Sequence, residues 1–231
     1  MIREPDVAHK LRRTSKDMAL KNEERVTATR ARLIDAAINA LAEIGYHRTT
    51  FVEVSRRSEL SRGAIHHHFE SIPDLMAAVT RDISDRIQRS VREGLSQLPD
   101  NVDVFDAGID FVWLQMQQAP YRALDQIRAA LATDLDLQSS VKDEVVDVAE
   151  WLQRQARNIV AEGNSAPEAI DPAVIRLVLS TLSGAATYDI ALGPPPEDPD
   201  RSAYLATLKS MVRLYNAERA RANVPPEPAT A

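Results

Sequence analysis

Between residues 48 and 67 the chain collects side chains suited to gripping phosphates and reading base edges: Arg48, Thr50, Ser61, Arg62, Gly63, His66 and His67. A guanidinium offers forked donors that match guanine, which makes Arg62 the candidate for base readout. Ser61 and the N–H groups at a helix start can bind a phosphate, and Gly63 permits close backbone approach. Arg48, Thr50 and His66 fit phosphate contacts better, and His67 joins the set by its position. This is recognition chemistry, without bond breaking. No glycine-framed nucleophile or phosphate-binding loop occurs, so no catalytic residue and no cofactor is assigned. The tract His66-His67-His68 resembles a metal site, but consecutive helical residues diverge by about 100° and do not converge on one ion. The acids Asp134, Asp136, Asp143, Glu144, Asp147 and Glu150 lack the glycine-bearing calcium-loop pattern and read as a solvated helix face.

Two short helices and a tight turn must position the recognition residues. Thr50 and Glu53 form a T-x-x-E capping box, in which each side chain is expected to satisfy a backbone N–H of the other. The helix it opens carries Phe51 and Val54 and ends at Arg57-Ser58-Glu59-Leu60. Ser61 caps a second helix over 61–68, with Leu60 and Ile65 at the spacing of a hydrophobic staple. Ser71, Pro73 and Asp74 start the next helix, as a cap, a first-turn proline and an acid at the positive end. Such a pair is a helix-turn-helix, whose second helix lies in the DNA major groove.

Residues 32–75 resemble the N-terminal domain of the tetracycline-repressor (TetR) family of bacterial regulators. Gly45, Thr49-Thr50, Leu60-Ser61-Arg62-Gly63, Ile65, His68-Phe69, Ser71 and Leu75 stand in the register of its pattern. Four departures occur: Glu59 for the turn glycine, Ser55 for an alanine, His66 for a tyrosine, and Ile72-Pro73 for Lys-Glu. The resemblance implies a sequence-specific, ligand-responsive repressor that binds a palindromic operator of double-stranded DNA as a homodimer. The alternative is a helical protein-interaction module that has lost DNA binding, since Glu59, His66 and Ile72 each weaken the match.

Composition agrees with an all-α fold. Glycine is sparse, at 7 residues, and nothing alternates like a strand for long. The absence of cysteine excludes disulfides, and no segment has the run of apolar residues that a signal peptide or membrane span needs, so the cytoplasm is expected. Residues 1–68 carry a net charge of +4 and residues 69–231 a net of −10, the balance of a chain that presents one end to phosphates.

In chain order, residues 1–25 are polar and basic, an arm that reaches DNA or a solvated tail. A helix follows over 26–44, with Leu33, Ile34, Ala37, Ile38, Leu41 and Ile44 inward and Gly45 closing it. Further helices are predicted over 73–94, 102–118, 121–133, 135–162, 172–192 and 201–221. Breaks fall at 98–101, at Ala119-Pro120 and at 163–171, and the GPPPEDPD segment at 193–200 is expected to be an extended connector. The organisation is thus a basic arm (1–25), a three-helix helix-turn-helix DNA-binding domain (26–72), a helical ligand-binding and dimerisation domain (73–222) and a disordered tail (223–231).

The TetR resemblance adds roles for the second domain. Its last two helices pair with those of a second subunit, which assigns Val174, Leu177, Val178, Thr181, Leu182, Ala185 and Tyr188 to the dimer interface. Family members line a small-molecule cavity with aromatic and apolar residues, which makes Trp113, Met116, Arg128 and Trp151 candidates for an unknown effector.

Overall fold

The computed structural model describes residues 4–97, 103–162 and 171–222, and among them every regular element is helical. The predicted breaks at 98–101 and 163–170 and the tail after 222 lie outside the described residues. Helix α1 (Glu4–Ile44) is longer than the apolar periodicity predicts. Residues 21–28 are exposed and show no inward stripe, so only helix-forming composition marks them. The segment predicted as a basic arm is therefore, from Glu4 on, the first half of α1.

After Gly45 comes a 3-10 turn (Tyr46–Arg48), then α2 (Phe51–Ser58), α3 (Arg62–His68) and α4 (Ile72–Ser96). Helices α5 (Val104–Met116) and α6 (Ala119–Ala130) are separated by Gln117 and Gln118 alone. Pro120 belongs to the first turn of α6, where its missing N–H costs no hydrogen bond. The chain ends its described part with α7 (Leu135–Glu162), α8 (Pro172–Leu192) and α9 (Ser202–Ala222).

Two cores hold these helices. The larger takes Leu33, Ile38 and Leu41 of α1, Val54, Ile65, Phe69, Leu75 and Met76, and continues into α6 and α7 through Leu124, Ile127, Leu137 and Val141. The helix-turn-helix and the body thus share one apolar interior, with α4 running through both. The smaller core joins α5, α8 and α9 through Ile109, Trp113, Ile175, Val178, Leu182, Leu205 and Leu208.

The connector between α8 and α9 is extended only at its start. From Pro196 it turns back on itself, and the Asp198 carboxylate accepts the N–H groups of Ala203 and Tyr204 at 3.0 and 2.9 Å, capping α9. Arg201 then bridges to Asp189 of α8, with Nε 3.0 Å from Oδ2.

Candidate nucleic-acid interface

Each of α2, α3 and α4 is started by a side chain from the sequence just before it. Thr50 Oγ1 accepts the Glu53 N–H, Ser61 Oγ accepts the Ala64 N–H at 3.2 Å, and Ser71 Oγ accepts the Asp74 N–H at 3.2 Å. The capping box at α2 is only half formed. The Glu53 carboxylate does not return to Thr50: it accepts Arg56 Nη2 at 2.7 Å and Arg57 Nε at 2.6 Å, while the Thr50 N–H donates to the Arg48 carbonyl. Two guanidiniums outbid one amide, and their hydrogen bonds pull Glu53 down to about 2. Arg57 also reaches Glu43 at 2.6 Å. Both arginines of α2 are therefore engaged by carboxylates of their own domain.

The turn between α2 and α3 is closed without glycine. Glu59 takes the left-handed conformation, φ 55°, and Arg32 meets its carboxylate at 2.9 Å. Ser55 supplies a further tie, its hydroxyl donating to the Leu60 carbonyl at 2.5 Å. Two of the departures, Glu59 and Ser55, thus each make a tie of their own at this turn. A third, Ile72, packs its apolar side chain against the larger core.

On α3, Ile65 is fully buried and Phe69, just past the last turn, is 1% exposed, and between them they fix the roll of the helix. Arg62, Gly63, His66 and His67 consequently share the outward face and are all exposed. Arg62 enters none of the ion pairs that occupy Arg56 and Arg57. A Cβ at Gly63 would meet nothing nearer than Ser61 Oγ at 3.8 Å, so no packing within the chain requires glycine there. His66 leans edge-on against Phe51, with ring centroids 5.0 Å apart, and is braced while it faces solvent. Arg48 lies exposed beside α3's neighbour, its Nε on the Ile44 carbonyl at 2.9 Å. Arg48, Thr50, Ser61, Arg62, Gly63, His66 and His67 are thus all exposed, on α3 and at the starts of α2 and α3.

His68 departs from that face. It is half-buried against Phe69, and burial first, then the neighbouring His67 and Arg30 charges, holds its imidazole below the ordinary value. The unfolded chain therefore takes up this proton first as pH falls below about 6.5, and the folded state loses stability from that point downward. Melting at pH 8 and at 5.5 should show a larger drop for the parent than for His68→Gln. Equal drops would remove His68 from the acid sensitivity.

Several contributors carry no sequence signal. Arg30 of α1 sits over the Phe69 ring, 5.2 Å from its centroid, and places a cation near the end of α3. Three residues of α6 and its following turn clasp the end of α1 and the turn after it: Arg122 Nη2 donates to the Ala42 carbonyl at 2.7 Å, Tyr46 donates to Asp134 at 2.7 Å, and Gln126 lies against Gly45. Gly45 has φ 79° and ψ 171°, a region that only glycine occupies comfortably, and a Cβ would lie 2.9 Å from Gln126 Oε1. Gly45→Ala should cost about 1–3 kcal/mol, read as a shift of the denaturant midpoint at unchanged slope. No shift would mean that the turn relaxes freely.

The effector candidates do not come together. Met116 and Arg128 line a cleft of about 780 Å³ among α6, α7 and α8. Trp113 is buried in the smaller core near Tyr204, and Trp151 packs on the larger core under the Arg92 guanidinium, 5.6 Å away; neither lines that cleft. The dimer candidates also divide. Val174, Val178 and Leu182 are buried within the chain, and Thr181 and Ala185 are half-buried, so these face α5 and α9. Leu177 and Tyr188 are 63% and 53% exposed. Leu192 of α8 and Met211, Leu214 and Tyr215 of α9, which the sequence did not single out, are exposed as well. A helix apolar on both sides gives no sequence cue to which side meets its own chain. No helix among the described residues is long and apolar enough to cross a membrane.

Comparison with known proteins bears on the same segment. Residues 33–79, from the core half of α1 into α4, match the family of bacterial regulatory proteins, tetR family. The HTH-type transcriptional regulator Rv2912c of Mycobacterium tuberculosis (strain ATCC 25618 / H37Rv) is 25% identical over 191 residues, covering 83% of this chain and 97% of that protein. The HTH-type transcriptional regulator BetI of Klebsiella pneumoniae (strain 342) is 38% identical over 71 residues, 31% of this chain and 36% of BetI. Among solved structures, Salmonella enterica GusR superposes with a TM-score of 0.61 at 21% identity, over 82% of this chain and 96% of that one. A TetR transcription regulator from Haloarcula marismortui gives 0.61 at 18% identity, over 83% and 98%. These two likenesses concern the fold.

Proposed function

We propose that this chain, which belongs to the TetR family of DNA-binding transcriptional regulators, acts in the cytoplasm as a ligand-responsive repressor, a homodimer on a palindromic operator. One observation carries the DNA-reading part: Ile65 and Phe69 lock α3 into the core while Arg62, Gly63, His66 and His67 stand outward on its other side. Arg62 reads a base through its fork, and Gly63 lets the backbone close in. Ser61 accepts at Oγ from Ala64, which leaves its own O–H to donate to a phosphate. Arg48, Thr50, His66 and His67 supply further phosphate contacts that set register.

The dimer is supported by the exposed apolar surface of Leu177, Tyr188, Leu192, Met211 and Leu214 on α8 and α9. So many large apolar side chains left exposed on two helices favour an interaction surface there. Pairing through it places two α3 helices on one face, as two half-sites about 34 Å apart require.

Response to a ligand runs through α6. Tyr121, Leu124, Asp125 and Arg128 of this helix line the cleft, while Arg122 and Gln126 hold the end of α1. A ligand that binds better when α6 is displaced shifts the population away from the DNA-competent state; equal affinity for both states shifts nothing. A nuclease footprint on the chain's own upstream region is expected to show two protected half-sites one helical turn apart. A single protected half-site, with a monomer by sedimentation, would contradict the dimer.

A further inference from the structure

The cleft among α6, α7 and α8 has a composition that selects a class of ligand. Its inner surface is apolar, from Met116, Leu124, Val145, Val148, Leu152 and Leu179. At about 780 Å³ it falls in the roughly 300–1,000 Å³ range of small-molecule sites. Three charged residues line it: Asp125, Arg128 and Arg176. Asp125 is already satisfied. Its carboxylate accepts Arg128, Thr187 Oγ1 at 2.8 Å and Ser183 Oγ at 3.3 Å, and Arg128 also meets Ser183 at 2.9 Å. That network cancels one negative and one positive charge. Arg176 of α8 is exposed and enters none of these bonds, so the lining keeps one positive charge. The same wall carries Tyr121, whose hydroxyl is shut from solvent without a hydrogen-bond partner, and burial raises its pKa so that it stays protonated.

We infer that this cleft binds an organic monoanion with an apolar body, its carboxylate held by Arg176 at the mouth and its chain or ring laid along Leu124, Val148 and Leu179. The inference rests on the cleft being the effector site of the regulator. A neutral amphiphile would gain the apolar contacts but not the ion pair, and a cationic one would meet the uncancelled guanidinium.

Isothermal titration of the full chain with decanoate and decyltrimethylammonium below their micelle concentrations, and with decan-1-ol below its solubility limit, separates these cases. Decanoate is expected to bind one site per protomer, roughly ten-fold tighter than decanol, the scale of one charge-assisted contact. Arg176→Ala, an exposed position, should remove that factor for decanoate and leave decanol unchanged, while Arg176→Lys keeps most of it. Decanol or the cation binding as tightly as decanoate would overturn the inference, and so would unchanged decanoate binding by Arg176→Ala. Mobility shift on the upstream DNA tests the separate premise. Decanoate that binds through Arg176 but leaves the DNA complex intact keeps the site and removes its regulatory role.

Discussion

Arg62→Ala is expected to weaken operator binding by about 1–3 kcal/mol in each half-site, so that a dimer engaging two half-sites loses roughly twice that. The loss should be uneven across sequences. Substituting the base that Arg62 reads should cost the parent protein this amount and cost the variant almost nothing. The reason lies in the division of labour among the arginines. Arg56 and Arg57 are held by Glu53, and Arg57 also by Glu43, so α2 contributes buttressing. Arg62 opens α3 on its outward face, outside that network. Binding titrations against operators changed one base pair at a time decide the matter. Uniform weakening on every sequence would make Arg62 a phosphate contact, with discrimination passing to His66 or His67.

The second large effect concerns stability. Phe69→Ala should destabilise the protein by about 3–5 kcal/mol, which for a chain of this size lowers the melting temperature by roughly 6–20 °C. Phe69 is 1% exposed, and its N–H donates to the Ile65 carbonyl at 2.8 Å, ending α3 at the point where the chain turns into α4. Arg30 covers one side of the ring, and His68 leans on it. Truncation leaves a cavity between α1, α3 and α4 and frees the roll of the recognition helix, so DNA affinity should fall at temperatures where the protein is still folded. Phe69→Leu keeps most of the volume and should cost only about 1 kcal/mol. A melting temperature for Phe69→Ala within 2 °C of the parent, on the order of a fraction of a kcal/mol, would mean that the ring is not the anchor.

The helix-turn-helix was legible because its signals are local. Thr50, Ser61 and Ser71 cap the helices they precede, and Ile65 falls where a staple partner should. The missing half of the capping box was not legible, since Glu53 is claimed by arginines three and four residues ahead, a competition the T-x-x-E pattern ignores. Periodicity found the buried stretch of α1 and missed residues 21–28, because a helical segment exposed on every side leaves no apolar repeat. On α8 the same signal marked Val174, Val178 and Leu182 together with Leu177 and Tyr188; only packing against α5 and α9 separates inner from outer. Trp113 and Trp151 were chosen by residue type, yet each is used to fill a core. The clasp of Arg122 and Tyr46 joins residues 80 and 88 positions apart, a distance no local pattern spans.

The outward face of α3 is expected to read a DNA sequence. Fluorescence anisotropy with a duplex from the chain's own footprinted upstream region, against a scrambled duplex of equal length and across a salt series, tests it most directly. Binding to the upstream duplex should be at least about 10³-fold tighter, and both complexes should weaken with salt along straight log–log lines, by about 0.9 per phosphate contact. Equal affinity for the two duplexes, or no binding to either at low salt, would contradict it.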